Sequence, residues 1–143
     1  MKLVDANVLI YAVNVGDSRH EVSRSWLDNS LQGGETVGFA WTVVLAFLRL
    51  TTKVGLFPSP LTSAEAVRRV REWLAQPAAV IAEPSPRHLD VLAGLLIDAG
   101  TGGNLVADAH LAAIALAQGA TVVTFDTDFA RFHGVESEQP TAR

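Results

Sequence analysis

Three aspartates stand where carboxylates can do chemistry in this chain of 143 residues. Asp5 follows the short apolar stretch Leu3-Val4, and Asp126 follows the strand-like segment 121–125. In open parallel sheets, residues at the carboxyl ends of strands collect on one rim, where loops and helix N-termini converge on ligands. Asp108 is placed by another argument. Within the helical segment 105–118, Leu105, Ala109, Ala112 and Leu116 define a buried stripe, and Asp108 lies on or beside it. A carboxylate facing a core is costly unless it is paired, protonated or bound to a cation. It also sits about one turn into its helix, where the dipole favours an anion. Singly, Asp5 and Asp126 would serve as helix caps, and Asp108 would pair with an arginine such as Arg49 or Arg131. Brought to one edge, the three repel one another and raise one another's pKa, a conflict that a divalent cation resolves. Oxygen-only ligands, with no cysteine and no paired-histidine spacing, favour Mg²⁺ or Mn²⁺ over zinc. His110 follows Asp108 by two positions, which do not share a helix face, so it is read as a non-ligand.

Short apolar segments alternating with longer amphipathic ones predict the frame for these acids: an α/β fold whose central parallel sheet of four to five strands is flanked by helices. Strands are expected at 3–4, 36–39, 79–82 and 121–125, with a weak final strand in the polar tail after Gly134. An apolar stretch runs over 8–13, and helices are expected over 19–30 (Val22, Trp26 and Leu27 inward), 41–54 (Val44, Leu45, Leu48 and Thr52 inward), 62–75, 86–99 and 105–118, with a short one over 126–132. Thr62-Ser63-Ala64-Glu65 has the form of a capping box, and Gly100 and Gly119 are the expected stops. Trp26, Trp41 and Trp73 occupy positions compatible with burial. No linker, repeat or charge block divides the chain, which predicts a single domain over 1–143.

Hydrophobic residues make up 49% of the chain and charged residues 18%, which excludes a disordered or low-complexity protein. So little charge leaves apolar surface for a second chain to cover. The absence of cysteine excludes a disulfide scaffold, a thiolate nucleophile and an iron–sulfur cluster. Neither a signal-peptide pattern nor an apolar run of membrane-spanning length is present, so a soluble cytoplasmic protein with no membrane partner is expected. The net charge of −4 argues against a basic nucleic-acid clamp. That argument loses force if the acids converge on a cation.

Val4-Asp5-Ala6-Asn7-Val8-Leu9-Ile10-Tyr11, Asp108-Ala109-His110-Leu111-Ala112-Ala113 and Thr124-Phe125-Asp126-Thr127-Asp128-Phe129 together resemble, in order and spacing, the PIN-domain nucleases and more narrowly the VapC toxins of bacterial toxin–antitoxin pairs. The resemblance covers essentially the whole chain. It implies a three-layer PIN-like fold and a Mg²⁺- or Mn²⁺-dependent endoribonuclease that hydrolyses phosphodiester bonds with a metal-activated water, leaving a 5′ phosphate and a 3′ hydroxyl. It further implies an RNA substrate, often tRNA or rRNA loops, a cognate VapB-type antitoxin and pairing as a homodimer. Asp5, Asp108 and Asp126 match acids of the family site, and Asp128 is a neighbour that would add a ligand or a supporting contact. Asn7 and Thr42 would orient water or ligand oxygens, although Asn7 could equally only stabilise its turn. Arg49 and Lys53 are candidate RNA contacts; Arg68, Arg69 and Arg71 read better as a solvated helix face. The antitoxin is expected on the apolar faces of 19–30 and 41–54.

One position departs from the family. A glutamate is usual on the helix after the second strand, and Ala46 takes its place here, with no acid between Glu35 and Glu65. Glu35 falls at the wrong end of its strand to substitute. That omission puts a second metal ion in doubt more than the first, and it keeps open an alternative: a catalytically weakened PIN-fold module that binds RNA or a partner. A phosphoacceptor domain of the doubly wound kind would want an acid beside Asp5 and a late lysine; the only lysines are Lys2 and Lys53.

Overall fold

The computed structural model of the chain describes residues 1–141. Five short parallel strands, β1 (Lys2–Val4), β2 (Val37–Phe39), β3 (Ala79–Ile81), β4 (Thr121–Val123) and β5 (Ser137–Glu138), form one sheet in the order β3-β2-β1-β4-β5. Leu3 pairs with Gly38 on one side and Val122 on the other, so β1 is central. Chain progression moves outward from β1 to β3, then returns to β4 on the other side of β1. The topological switch therefore falls between β1 and β4, where a doubly wound sheet opens its binding crevice.

Two helices fill each of the three long crossovers: α1 (Ala6–Val13) and α2 (His20–Leu31), α3 (Trp41–Thr51) and α4 (Ser63–Leu74), α5 (His88–Ala99) and α6 (Val106–Gln118). Right-handed crossovers put α1–α4 on one face and, because β3 to β4 runs the other way, α5–α6 on the opposite face. This is the expected three-layer arrangement. The capping box at α4 is formed, Glu65 N–H to Thr62 Oγ1 at 3.1 Å and Thr62 N–H to Glu65 Oε1 at 3.2 Å. Gly119 ends α6 in the left-handed region at φ 63°. Gly38 is required for a different reason: a Cβ there would stand 3.1 Å from Leu3 Cδ1 and 3.2 Å from Ala82 Cβ.

The core is aliphatic with a few aromatic anchors, among them Phe47 edge-on to Trp73 at 5.0 Å. Trp26 and Trp73 are buried, but Trp41 is 52% exposed and Leu45 59%. Both were expected inside. The buried face of α3 is Val43, Val44, Phe47 and Thr51, and Trp41 and Leu45, spaced i and i+4, form a second apolar stripe on the opposite side. A helix that is apolar round most of its circumference can give the core only one side. Leu116, expected on the buried stripe of α6, is 38% exposed because burial on that helix ends at Ala115. β4 is shorter than the segment 121–125 because Phe125 gives its N–H to the Asn7 side chain instead of a neighbouring strand. No helix among the described residues is long and apolar enough to cross a membrane.

Candidate active site

Asp5 leaves β1 as the N-cap of α1, its Oδ1 accepting the Ala6 N–H at 2.7 Å. Asp126 leaves β4 as the cap of the 3-10 turn Thr127–Arg131, its Oδ1 accepting the Asp128 N–H at 2.8 Å. The plain capping role is therefore real for both. It does not compete with a site, because a cap uses one lone pair and fixes the rotamer, and each carboxylate oxygen has a second lone pair. Asp108 stands in the first turn of α6, next to the buried Ala109 and half-buried itself.

The ends of β1 and β4 are joined by a side-chain network centred on Thr124, which is 3% exposed. Its hydroxyl donates to Asp5 Oδ2 at 2.8 Å and accepts the Asp126 N–H at 2.9 Å and the Asn7 amide at 3.1 Å. Asn7 in turn accepts the Phe125 N–H at 3.2 Å and reaches Asp5 Oδ2 at 3.4 Å. Sequence reasoning left Thr124 out. The available signal was a hydroxyl residue between an apolar strand and an aspartate, two positions before it, where it can accept that residue's N–H as a turn.

One carboxylate oxygen from each of Asp108, Asp126 and Asp128 lies within 4.8 Å of the others. Asp5 is outside that trio, its oxygens turned to Ala6 and Thr124, but it is close enough for its charge to act on Asp108. Asp128, expected as a neighbour, completes the trio with Asp108 and Asp126. The electrostatics match the crowding. Burial, then the charges of Asp126 and Asp5, push the Asp108 carboxyl up from 3.8 to about 7. Burial also raises Asp5, against the lowering effect of the Thr124 hydroxyl and the Ala6 N–H.

The remaining candidates are scattered. Thr42 is exposed in the first turn of α3, Arg49 is exposed in its last turn, and Lys53 is exposed beyond its end; none is hydrogen-bonded through its side chain among the described residues. Arg131 pairs loosely with Asp128, Nε to Oδ1 at 3.8 Å, and not with Asp108. His110 is engaged with His88 on α5, ring nitrogens 2.8 Å apart, and burial and His88 lower its pKa. Glu35 meets the N-terminal amine at 3.2 Å, at the amino end of the sheet and away from the carboxylates. Ala46 is half-buried on α3, leaving the rim beside β2 without an acid.

The sheet runs in the order 3-2-1-4-5 with aspartates gathered at its switch point, and a family profile described as PIN domain matches residues 2–135. The chain belongs to the PIN-domain family. Its placement within that family is equally direct: Ribonuclease VapC37 of Mycobacterium tuberculosis (strain ATCC 25618 / H37Rv) is 55% identical over 142 residues, covering 99% of each chain. Ribonuclease VapC31 of the same strain is 39% identical, covering 98% of this chain and 99% of the relative. These similarities put the chain among the VapC ribonucleases. In solved structures the fold recurs in VapBC2 from Rickettsia felis bound to a promoter DNA fragment (TM-score 0.71, 19% identity, 96% of this chain and 97% of that one). It recurs also in Mycobacterium tuberculosis VapC20, a sarcin–ricin-loop-cleaving toxin (TM-score 0.68, 17% identity, 95% and 99%).

Proposed function

We propose that this protein is the ribonuclease toxin of a VapBC-type pair, hydrolysing RNA phosphodiester bonds at the carboxylate rim with Mg²⁺ or Mn²⁺. The observation that carries the reading is the convergence of Asp108, Asp126 and Asp128 within 4.8 Å beside a rigidly held Asp5. The donor set fits a hard cation: it is all oxygen, and an ion with ligands at roughly 2.0–2.6 Å bridges oxygens about 4–5 Å apart. Asp108, driven up to about 7 by burial and then by the charges of Asp126 and Asp5, is a carboxylate that a cation would stabilise in its ionised form. When bound, such a cation lowers the pKa of water, polarises a phosphoryl oxygen and offsets the charge that develops there.

Asp108, Asp126 and Asp128 would hold the ion, with Asp5 a fourth acid whose charge acts on Asp108. Asp5 and Asp126 are locked by their caps and by Thr124, so little reorganisation is needed as charge develops. Asn7 ties the turn after β4 to α1 and fixes the distance between them. Thr124 is no nucleophile, since it is buried and its proton is already given to Asp5. Water is therefore the attacking group.

The VapB-type antitoxin is assigned to α3 and α4. Trp41, Val44, Leu48, Val67, Val70 and Leu74 line an apolar groove of about 480 Å³ there. Of the two faces expected to receive it, α2 has spent its apolar side on Trp26, Leu27 and Leu31, and no large hydrophobic side chain on it is exposed among the described residues. A homodimer would cover α5, where Leu89 is 75% and Ile97 77% exposed. The toxin acts in the cytoplasm, where its RNA is.

Incubation of the purified chain with total tRNA and rRNA in Mg²⁺, Mn²⁺ or EDTA tests the reading, with Asp5→Asn alongside. Metal-dependent cleavage abolished by EDTA and by the substitution is expected. Cutting that survives both would overturn it, and RNA binding without cutting under any metal would favour the weakened module that the missing acid at Ala46 suggests.

A further inference from the structure

An aromatic pair that includes Phe125, the residue before Asp126, carries a cation that the proposed reaction does not yet use. Arg19 precedes α2, and its guanidinium sits over the ring of Tyr11 with Cζ 3.8 Å from the centroid. Tyr11 meets Phe125 edge-on at 5.4 Å, and Phe125 lies 6.0 Å from the same guanidinium. The fork is fixed along its other edge by Asp17, Nε to Oδ1 at 2.9 Å and Nη2 to Oδ2 at 3.0 Å. Held this firmly, the Arg19 side chain is nevertheless 44% exposed, and Nη1 has no partner among the described residues.

The stack is tied to the site at two points. Phe125 is the residue between Thr124 and Asp126, and its N–H is bonded to Asn7. Tyr11 lies on the helix that Asp5 caps, six residues on and so about 9 Å along its axis. A rim of four aspartates repels a polyanion unless fixed donors stand next to it. Arg49 and Lys53, the cations singled out from the sequence, stand at the far end of α3. Arg131 is only loosely paired at 3.8 Å. Arg19 alone among these is stacked on aromatic rings and held by a two-point ion pair, with its side chain 44% exposed. Single-stranded RNA is recognised by stacking unpaired bases on aromatic rings or arginine planes.

We infer that the outer face of the Arg19 guanidinium, backed by Tyr11 and Phe125, is a subsite on which an unpaired base of the RNA substrate stacks next to the bond to be cut, with Nη1 donating to the adjoining phosphate. The subsite rests on the ribonuclease reading of the rim. It explains why the arginine is braced on an aromatic pair instead of left to wave in solvent as a simple phosphate contact would be.

The test uses the full chain and a fluorescein-labelled pool of random 20-nucleotide single-stranded RNA, with binding read by anisotropy in Ca²⁺ and cleavage followed in Mn²⁺. A parallel pool carries 2-aminopurine, whose fluorescence is quenched on stacking. Arg19→Ala should weaken binding about tenfold and abolish the quenching, with the loss in cleavage falling on KM more than on kcat. Arg19→Lys, which keeps the charge and loses the plane, should recover less than a third of the binding and none of the quenching. Wild-type quenching retained in Arg19→Ala, or full recovery of binding by lysine, overturns the base-stacking subsite. If Arg19→Ala melts early, the lysine variant decides on its own. Wild-type protein that binds and quenches without cutting in any metal refutes the nuclease reading and leaves the subsite standing; failure to bind the pool at all overturns both.

Discussion

The carboxyl edge of the sheet has two halves built in different ways. On the β1–β4 side, Asp5, Asn7, Thr124 and Asp126 are knitted by hydrogen bonds of 2.7–3.4 Å into a unit that also sets Asp128. On the β2–α3 side stand Ala40, Trp41, Thr42 and Ala46, with no carboxylate and no side-chain cap on the helix. The first half is polar, cross-linked and electrostatically stressed; the second is apolar and continuous with the exposed stripe of α3. On the proposed reading the chemistry falls at the switch point, and the other half of the edge is left as a surface for a protein partner. On the same reading, the acid-rich half offers one group of three carboxylates to an ion, and the other half offers none.

The largest effect should come from the acid that carries the stress. Asp108→Asn is expected to lower cleavage about a thousandfold, the value of several kcal/mol of lost electrostatic stabilisation. Without metal the same variant should melt higher than wild type at pH 7.5, because the ionised carboxylate it removes is desolvated and then repelled by Asp126 and Asp5 in the folded state. Calorimetry with and without Mn²⁺ checks both halves; a metal-free melting point lower than that of wild type would mean Asp108 is a structural group. Next in size is Thr124→Val. It preserves shape but strips Asp5 of its donor and leaves the Asp126 N–H and the Asn7 amide short of an acceptor. A loss of about 10–100-fold in metal affinity or activity follows, with Thr124→Ser restoring most of it. If valine is harmless, the cross-linked half of the edge is not what orients the site.

The rim was legible in the sequence because strand ends and Asp go together: the apolar stretch before Asp5 and before Asp126, and the helical stripe around Asp108, locate each acid from local pattern alone. The resemblance to PIN nucleases added the order of the motifs. What could not be read was anything depending on side chains from separate elements meeting. Thr124 contacts residues 117 and 119 positions away, and Arg19 finds Tyr11 and Phe125 only once α1, α2 and β4 are assembled. Trp41 and Leu45 were misplaced for the same reason. Periodicity shows that a helix has apolar sides, and only packing decides which of them the core takes.

A smaller and graded effect is expected from pH. Asp108 has its carboxyl raised from 3.8 to about 7 in the folded chain, so folding favours the protonated form. Its stabilising contribution is complete below about pH 4 and disappears as pH rises through 7. Asp5 is shifted in the same direction. Metal-free protein should therefore lose a few degrees, on the order of 2–5 °C, between pH 5 and 7.5, a shift kept small by solvent access to the cluster. Mg²⁺ should reverse the loss, and more so at pH 7.5, since the cation displaces the proton. A metal-free melting point flat across this range would show that the acids do not crowd as the geometry indicates.

The smallest change would sharpen the comparison most. Ala46 shares one side of α3 with Thr42 and Arg49, at spacings of four and three residues, and it is half-buried, so a longer side chain there has room at the edge only by reaching along that side. Ala46→Glu gives the β2–α3 half the one ligand type it lacks. If the two halves differ only in that carboxylate, Mn²⁺ titrations should move from one bound ion per chain to two, and cleavage should change by about tenfold or less, since a second ion adds to a site that the first already activates. Should the wild-type chain already bind two ions, a single acid-rich half would suffice for both, and the division of the edge into a chemical half and a partner-binding half would have to be redrawn around Asp5 instead of Ala46.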